Sequence, residues 1–185
     1  MSSDFPETMN FGKGMRMTFE NNIRRVEVGG QEGDDIFYVP THWHENHDEM
    51  ICVLEGQLEV TLGKGVIICT PAKGDVVVPR GVPHSLKGIK GVACVFTERT
   101  NPGEFPAKEL FFRNMFSLQG QGGLLPVMLV FYAGDIFPVF PVHSVWLEKA
   151  VKMPFNPLED ILTPLSPRSL SQFLEATSPH ALGID

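Results

Sequence analysis

From Met15 to Glu98 the chain is a string of short apolar-rich runs separated by Gly, Pro and Asp. The runs are Met15–Phe19, Ile23–Val28, Ile36–Pro40, Glu49–Leu54, Leu58–Leu62, Val66–Cys69, Asp75–Pro79, His84–Leu86 and Val92–Thr97. Segments of about five residues at this spacing predict an all-β sandwich or barrel. Gly56-Gln57 and Gly63-Lys64-Gly65 fit tight hairpin turns. The pattern changes at the turn signal Asn101-Pro102-Gly103. Beyond it, Ala107–Leu118 (AKELFFRNMFSL) joins good helix formers to an apolar stripe. Val127–Ala133 predicts a second helix, with Pro126 at its start and Gly134 just past its end. His143–Val151 and Arg168–Ala176 predict two further short helices. The chain therefore divides into an N-terminal arm (1–14), a barrel (15–103) and a helical or irregular extension (104–185). The extension is expected to pack on the barrel or to form an oligomer interface.

Leu124–Val142 is strongly apolar, but Pro126, Asp135, Pro138 and Pro141 interrupt it. Its unbroken part is about half of the ~20 residues that a membrane span needs. A packing helix or an oligomer contact is expected there, with superficial membrane association the weaker alternative.

The length, 185 residues, suits one domain with a substantial core. A formal charge of −7 and no long Lys/Arg run argue against nucleic-acid binding. Arg24-Arg25 is too short to change that and reads as a solvated strand end. Cys52, Cys69 and Cys94 make an odd count without CxxC spacing, each among apolar neighbours, which fits free thiols in a reducing compartment. The N-terminus, MSSDFPETMN, has acids and no apolar core, so no secretory signal is expected and the cytoplasm is the expected location.

The chemistry concentrates between Thr41 and Gly56, THWHENHDEMICVLEG. His42 and His44 share parity, so on a strand both imidazoles leave one face. Glu49 opens the next apolar run, and GDVVVPRGVPH delivers His84 at the start of another strand. Three imidazoles and one carboxylate suit one divalent ion of the Zn, Fe, Mn, Ni or Co kind.

The segment His42-x-His44-x4-Glu49-x6-Gly56 resembles the first cupin motif, and Gly74 to His84, with Pro79, Gly81 and His84 in place, resembles the second. The run Val95–Gly103 is similar to the strand and turn that close many cupin barrels. The second motif has four residues where five are common between Gly74 and Pro79, and Gly88 stands where Asn is often found. The resemblance covers Ile36 to Gly103 and implies a jelly-roll β-barrel with His42, His44, Glu49 and His84 as metal ligands. Pairing into a homodimer is implied as well. The fold alone does not choose a reaction.

Around this set, His47 reads as a solvated turn residue, a substitute ligand or a proton carrier. Tyr38 shares the parity of His42 and His44, which points it into the barrel as pocket lining or core. Trp43 has the opposite parity and is expected to pack on the outer face. Arg80 is a candidate partner for a substrate carboxylate, against the simpler reading of an exposed turn arginine. Glu98 and Arg99 read as a rim ion pair. Asp135 is the polar residue to watch in the extension, with helix-terminal hydrogen bonding as its default role.

The first functional expectation is a metal-dependent enzyme acting on a small organic molecule through Lewis-acid and proton-transfer chemistry, with His47 and Glu49 as catalytic groups. Isomerisation, cyclisation, decarboxylation and other lyase reactions fall in that class. The alternatives are an Fe(II)-dependent dioxygenase and a non-catalytic small-molecule binder. Phosphosugar isomerisation is disfavoured, because the pocket strands offer few Lys or Arg residues to hold a phosphate.

Overall fold

A computed structural model describes residues 7–20, 22–103, 107–118 and 124–139. Eleven strands form among them: β1 (Thr8–Gly12), β2 (Met15–Glu20), β3 (Ile23–Val28), β4 (Tyr38–Trp43), β5 (Asp48–Glu55), β6 (Leu58–Leu62), β7 (Gly65–Cys69), β8 (Val76–Val78), β9 (His84–Gly88), β10 (Cys94–Asn101) and β11 (Phe137–Pro138). Two helices, α1 (Ala107–Leu118) and α2 (Leu124–Ala133), lie between β10 and β11. One sheet has the order β1-β2-β3-β10-β5-β8, and the other runs β11-β4-β9-β6-β7. All pairings are antiparallel. This is the all-β jelly-roll barrel with a short helical addition that the motifs imply.

Strict alternation builds the interior. On β3 the inward positions are Arg24, Val26 and Val28; on β5 they are Glu49, Ile51 and Val53; on β10 they are Cys94, Phe96, Glu98 and Thr100. Leu58, Val60 and Leu86 face them from the second sheet. Each inward row is apolar at one end and polar at the other. The apolar ends form the core, where burial of each Val, Leu, Ile or Phe stabilises by about 1.5–3 kcal/mol. The polar ends, Arg24, Glu49, His84, Glu98 and Thr100, share one buried layer.

Several details depart from the expectations. Residues 8–12, assigned to an arm, pair with β2 as a strand. Gly56-Gln57 is no hairpin: it carries the chain from β5 in one sheet to β6 in the other. Gly63-Lys64 does close a hairpin between β6 and β7. Arg24 is no solvated strand end, since it is buried and its Nη2 donates to Glu98 Oε1 at 3.1 Å. Glu98 and Arg99 therefore do not pair: alternation sends them to opposite faces, and Arg99 pairs with Asp75.

Helix α1 forms where expected, and α2 starts three residues early, placing Pro126 in its first turn. Phe112 and Phe116 of α1 pack against the barrel core, with Phe116 stacked on Phe11 at 4.8 Å between ring centroids. Phe111 packs with Val130 and Ile136 to join α1 to α2 and the following turn. Among the described residues, no helix is long and apolar enough to cross a membrane. The helices expected at His143–Val151 and Arg168–Ala176 lie outside the described residues.

Gly56 makes the sheet-to-sheet switch with φ of 72°, and a Cβ there would stand 1.9 Å from the carbonyl oxygen of Ala93. Gly63 has a similar φ of 58° with nothing within 4 Å. Gly56→Ala is expected to cost about 3 kcal/mol through left-handed strain plus overlap, while Gly63→Ala costs about 1 kcal/mol from strain alone. Urea unfolding midpoints of the two variants check the difference.

Candidate metal centre

The two sheets bring four potential ligands to the polar end of the barrel. His42 lies near the end of β4, His44 follows that strand, Glu49 is near the start of β5, and His84 opens β9. A β-bulge prepares this arrangement. Val39 pairs with Leu86 and His42 with His84, so β4 advances three residues while β9 advances two. The extra residue falls at Pro40-Thr41, where a proline without an N–H suits an interrupted ladder. Val39 and His42 can then both face inward. Tyr38 is a correction: the bulge breaks the parity that pointed it into the barrel, and it lies 59% exposed at the cavity rim. Trp43 turns outward and stacks on Phe137 at 4.4 Å.

One ligand atom from each of His42, His44, Glu49 and His84 fits in a cluster with all separations within 4.8 Å. Each imidazole is held through Nδ1 by a backbone carbonyl: His42 by Pro40 at 2.8 Å, His44 by Asp135 at 2.7 Å and His84 by Val82 at 3.0 Å. Donation from Nδ1–H fixes the tautomer and leaves the Nε2 lone pair free, the arrangement that metal-ligating histidines use. His84 Nε2 is 2.9 Å from Glu49 Oε2, and His44 Nε2 is 3.8 Å from the same oxygen. That His44 nitrogen is buried without a hydrogen-bond partner. A buried orphan lone pair is costly in an apoprotein, and a cation among these donors removes the cost. The residues fit a divalent transition metal.

Electrostatics agree with this fit. Burial, then the neighbouring His84 and His44, hold the His42 imidazole well below its ordinary range. Burial, then the charge of Lys108, pushes His44 down to about 4. Burial alone would raise the Glu49 carboxyl, but its contacts with His44 and His84 outweigh that and keep it well below the usual carboxylate range. Burial likewise opposes protonation of His84, yet the Glu49 contact wins and raises it. Glu98, paired with Arg24, is pushed up to about 7 by burial and then by the nearby Glu49 charge.

His47 is also a correction to the solvated-turn expectation, since it is fully buried. Its ring stacks on His44 at 4.3 Å, and its Nδ1 lies 2.8 Å from Asp135 Oδ2. It sits behind His44 and does not line the cavity. Asp135 does far more than end a helix. Its carboxylate accepts from the backbone N–H of Glu45 (3.2 Å) and Asn46 (2.8 Å) and from Asn46 Nδ2 (2.9 Å), while its carbonyl anchors His44. A non-glycine residue at φ 55°, it aims both groups at the ligand loop. His44, His47 and Asp135 form a second cluster of possible ligand atoms, but in it His44 and His47 are held by Asp135 itself.

Arg80 is not brought to the site. It lies on the exterior with its Nε 3.0 Å from Asp48 Oδ1, and it does not line the cavity. Lys108 was missed by sequence reasoning, yet it is only 1% exposed and lines the same cavity as His42, His44 and Glu49. Nothing in a helix pattern singles it out, apart from a lysine breaking the apolar stripe next to Phe111 and Phe112.

A cavity of about 460 Å³ opens onto the ligands. His42, His44, Glu49, Glu98 and Lys108 are its polar floor, and aromatic and methionine side chains of the first strands and α1 make most of the wall. A larger cleft of about 650 Å³ lies along residues 28–37 and 88–91. It touches none of the ligands, so the chemistry belongs to the smaller cavity.

Residues 25–98 match the cupin domain family. The chain is similar to quercetin 2,3-dioxygenase of Bacillus subtilis (strain 168), with 30% identity over 95 residues, covering 44% of this chain and 27% of that protein. The chain thus spans about a quarter of the length of this curated relative. Among solved structures it is similar to the polyketide cyclase RemF from Streptomyces resistomycificus at 23% identity and TM-score 0.37, covering 48% of this chain and 65% of that one. It is also similar to oxalate decarboxylase from Lactobacillus farciminis at 18% identity and TM-score 0.37, covering 49% and 29%.

Removing the Asp135 carboxylate should loosen the ligand loop without unfolding the barrel. Asp135→Ala is expected to lower metal affinity about 10- to 100-fold, with Asp135→Asn losing less. Competition against a chromogenic chelator reads the affinity, and far-ultraviolet circular dichroism checks the fold.

Proposed function

We propose that this chain, whose residues 25–98 match the cupin domain family, is a metal-dependent enzyme that acts on a small organic metabolite by Lewis-acid and proton-transfer chemistry. The observation that carries this is the set of three imidazoles, each tied through Nδ1, whose remaining nitrogens gather on Glu49. His42, His44, Glu49 and His84 would hold the ion, which supplies Lewis acidity toward a carbonyl or carboxylate oxygen. Isomerase, cyclase, decarboxylase or other lyase chemistry fits such a site.

The chain's own residues set the rest. The aromatic wall excludes water and favours an apolar substrate body. Glu49 and Glu98 line the cavity, where their carboxylate oxygens are placed to take a proton from a bound molecule. His47 does not face that molecule, so in this scheme it acts through His44 and Asp135 as a positioning residue. Tyr38 is left with a rim contact to an entering substrate, and Arg80 with its pairing to Asp48. The reading also includes a homodimer and residence in the cytosol, where the free thiols of Cys52, Cys69 and Cys94 persist.

The likeness to a dioxygenase favours a second reading, an Fe(II)-dependent oxygenase on the same ligand set. Elemental analysis of the purified chain should find about one divalent transition metal per chain, falling below about a tenth in His42→Ala/His84→Ala. Oxygen consumption on iron loading would select the oxygenase. Absence of bound metal after reconstitution would overturn both readings and leave a non-catalytic binder.

A further inference from the structure

Lys108 sits in the first turn of α1 and is 1% exposed. Its ammonium lies 5.8 Å from the centroid of the Phe111 ring and lines the cavity with His42, His44, Glu49 and Glu98. Among the described residues it makes no hydrogen bond and no ion pair within 4 Å. A buried cation without a partner is costly, which is why lysines are seldom fully buried unless paired.

The nearby carboxylates are already engaged. Glu98 accepts from Arg24 at 3.1 Å, and Glu49 lies 2.9 Å from His84. Neither carboxylate forms a direct ion pair with the ammonium within 4 Å, and the lysine faces the cavity beside them. The walls around it are apolar, with Phe37, Phe112 and Phe116 among them. A ligand that satisfies both features has an apolar body and one acidic group. A sugar phosphate meets neither condition, since its hydroxyls would face aromatic walls and its dianion a single lysine.

We propose that Lys108 is the anion-recognising residue of this cavity, and that its ligand is an apolar organic acid whose carboxylate, or acidic phenol or enol, lies against the ammonium. The proposal deepens the enzymatic reading and rests on it for the identity of the cavity as the substrate site. An ion held by Glu49 would add positive charge to the same chamber and strengthen the preference for an anion.

The test uses two fluorescent probes with the same apolar body, 1-anilinonaphthalene-8-sulfonate and its uncharged twin N-phenyl-1-naphthylamine, titrated into the full chain with and without metal. Wild type is expected to prefer the anion. Lys108→Met should weaken the anionic probe about tenfold while the neutral probe changes less than about twofold, and Lys108→Arg should largely restore the anion. The melting temperature of Lys108→Met should hold or rise, because an unpartnered buried charge has been removed. Equal loss of both probes, no anion preference in wild type, or a fall in melting temperature without selective loss of the anion would overturn the proposal. Metal content measured on the same samples separates the two readings. A metal-free chain that still selects the anion through Lys108 keeps this inference and loses the metal-dependent one; a metal-loaded chain without that selectivity does the reverse.

Discussion

Burying the Glu49 carboxylate among imidazoles at one end of a small barrel is the demand that organises the rest of the molecule. A charge removed from water needs partners, and each partner then needs its own. His84 and His44 surround the carboxylate, and backbone carbonyls anchor both rings. The adjacent inward position on β10 holds Glu98, which needs Arg24 beside it on β3. Arg24 in turn has Phe112 of α1 over its guanidinium at 5.8 Å to the ring centroid. The polar layer thus reaches from the metal ligands to the helix that covers them.

The same demand explains why the extension is part of the site. The first turn of α1 contributes Lys108, and the turn after α2 contributes Asp135. Phe111, Val130 and Ile136 form a small apolar cluster that fixes these two segments to each other. Packing of the second core therefore sets the position of two charged groups at the first.

Much of this was legible in the sequence, for identifiable reasons. The strands of the core show period-two alternation, and His42, His44, Glu49 and His84 stand at motif spacing, so fold and ligand set could be read together. Tyr38 was misplaced because parity counting assumes an unbroken ladder, and the bulge at Pro40-Thr41 adds a residue that only the pairing with β9 reveals. His47 looked solvated because its neighbours Glu45, Asn46 and Asp48 are polar, yet Asp135, about ninety residues away, covers that turn. Arg24 looked exposed because its partner, Glu98, lies seventy-four residues on. Local pattern reports local structure, and the misreadings of His47 and Arg24 are long-range charge pairings.

Asp135 also sets a boundary. The sheets that hold the four ligands are complete, apart from β11, once β10 has paired with β3 and β5. The Nδ1 of His44, however, takes its acceptor from a residue that follows both helices. A chain ending after β10 would close its barrel and still leave one imidazole free to turn. The barrel and the metal centre thus have different minimal lengths, and a fragment that folds is not for that reason a fragment that binds.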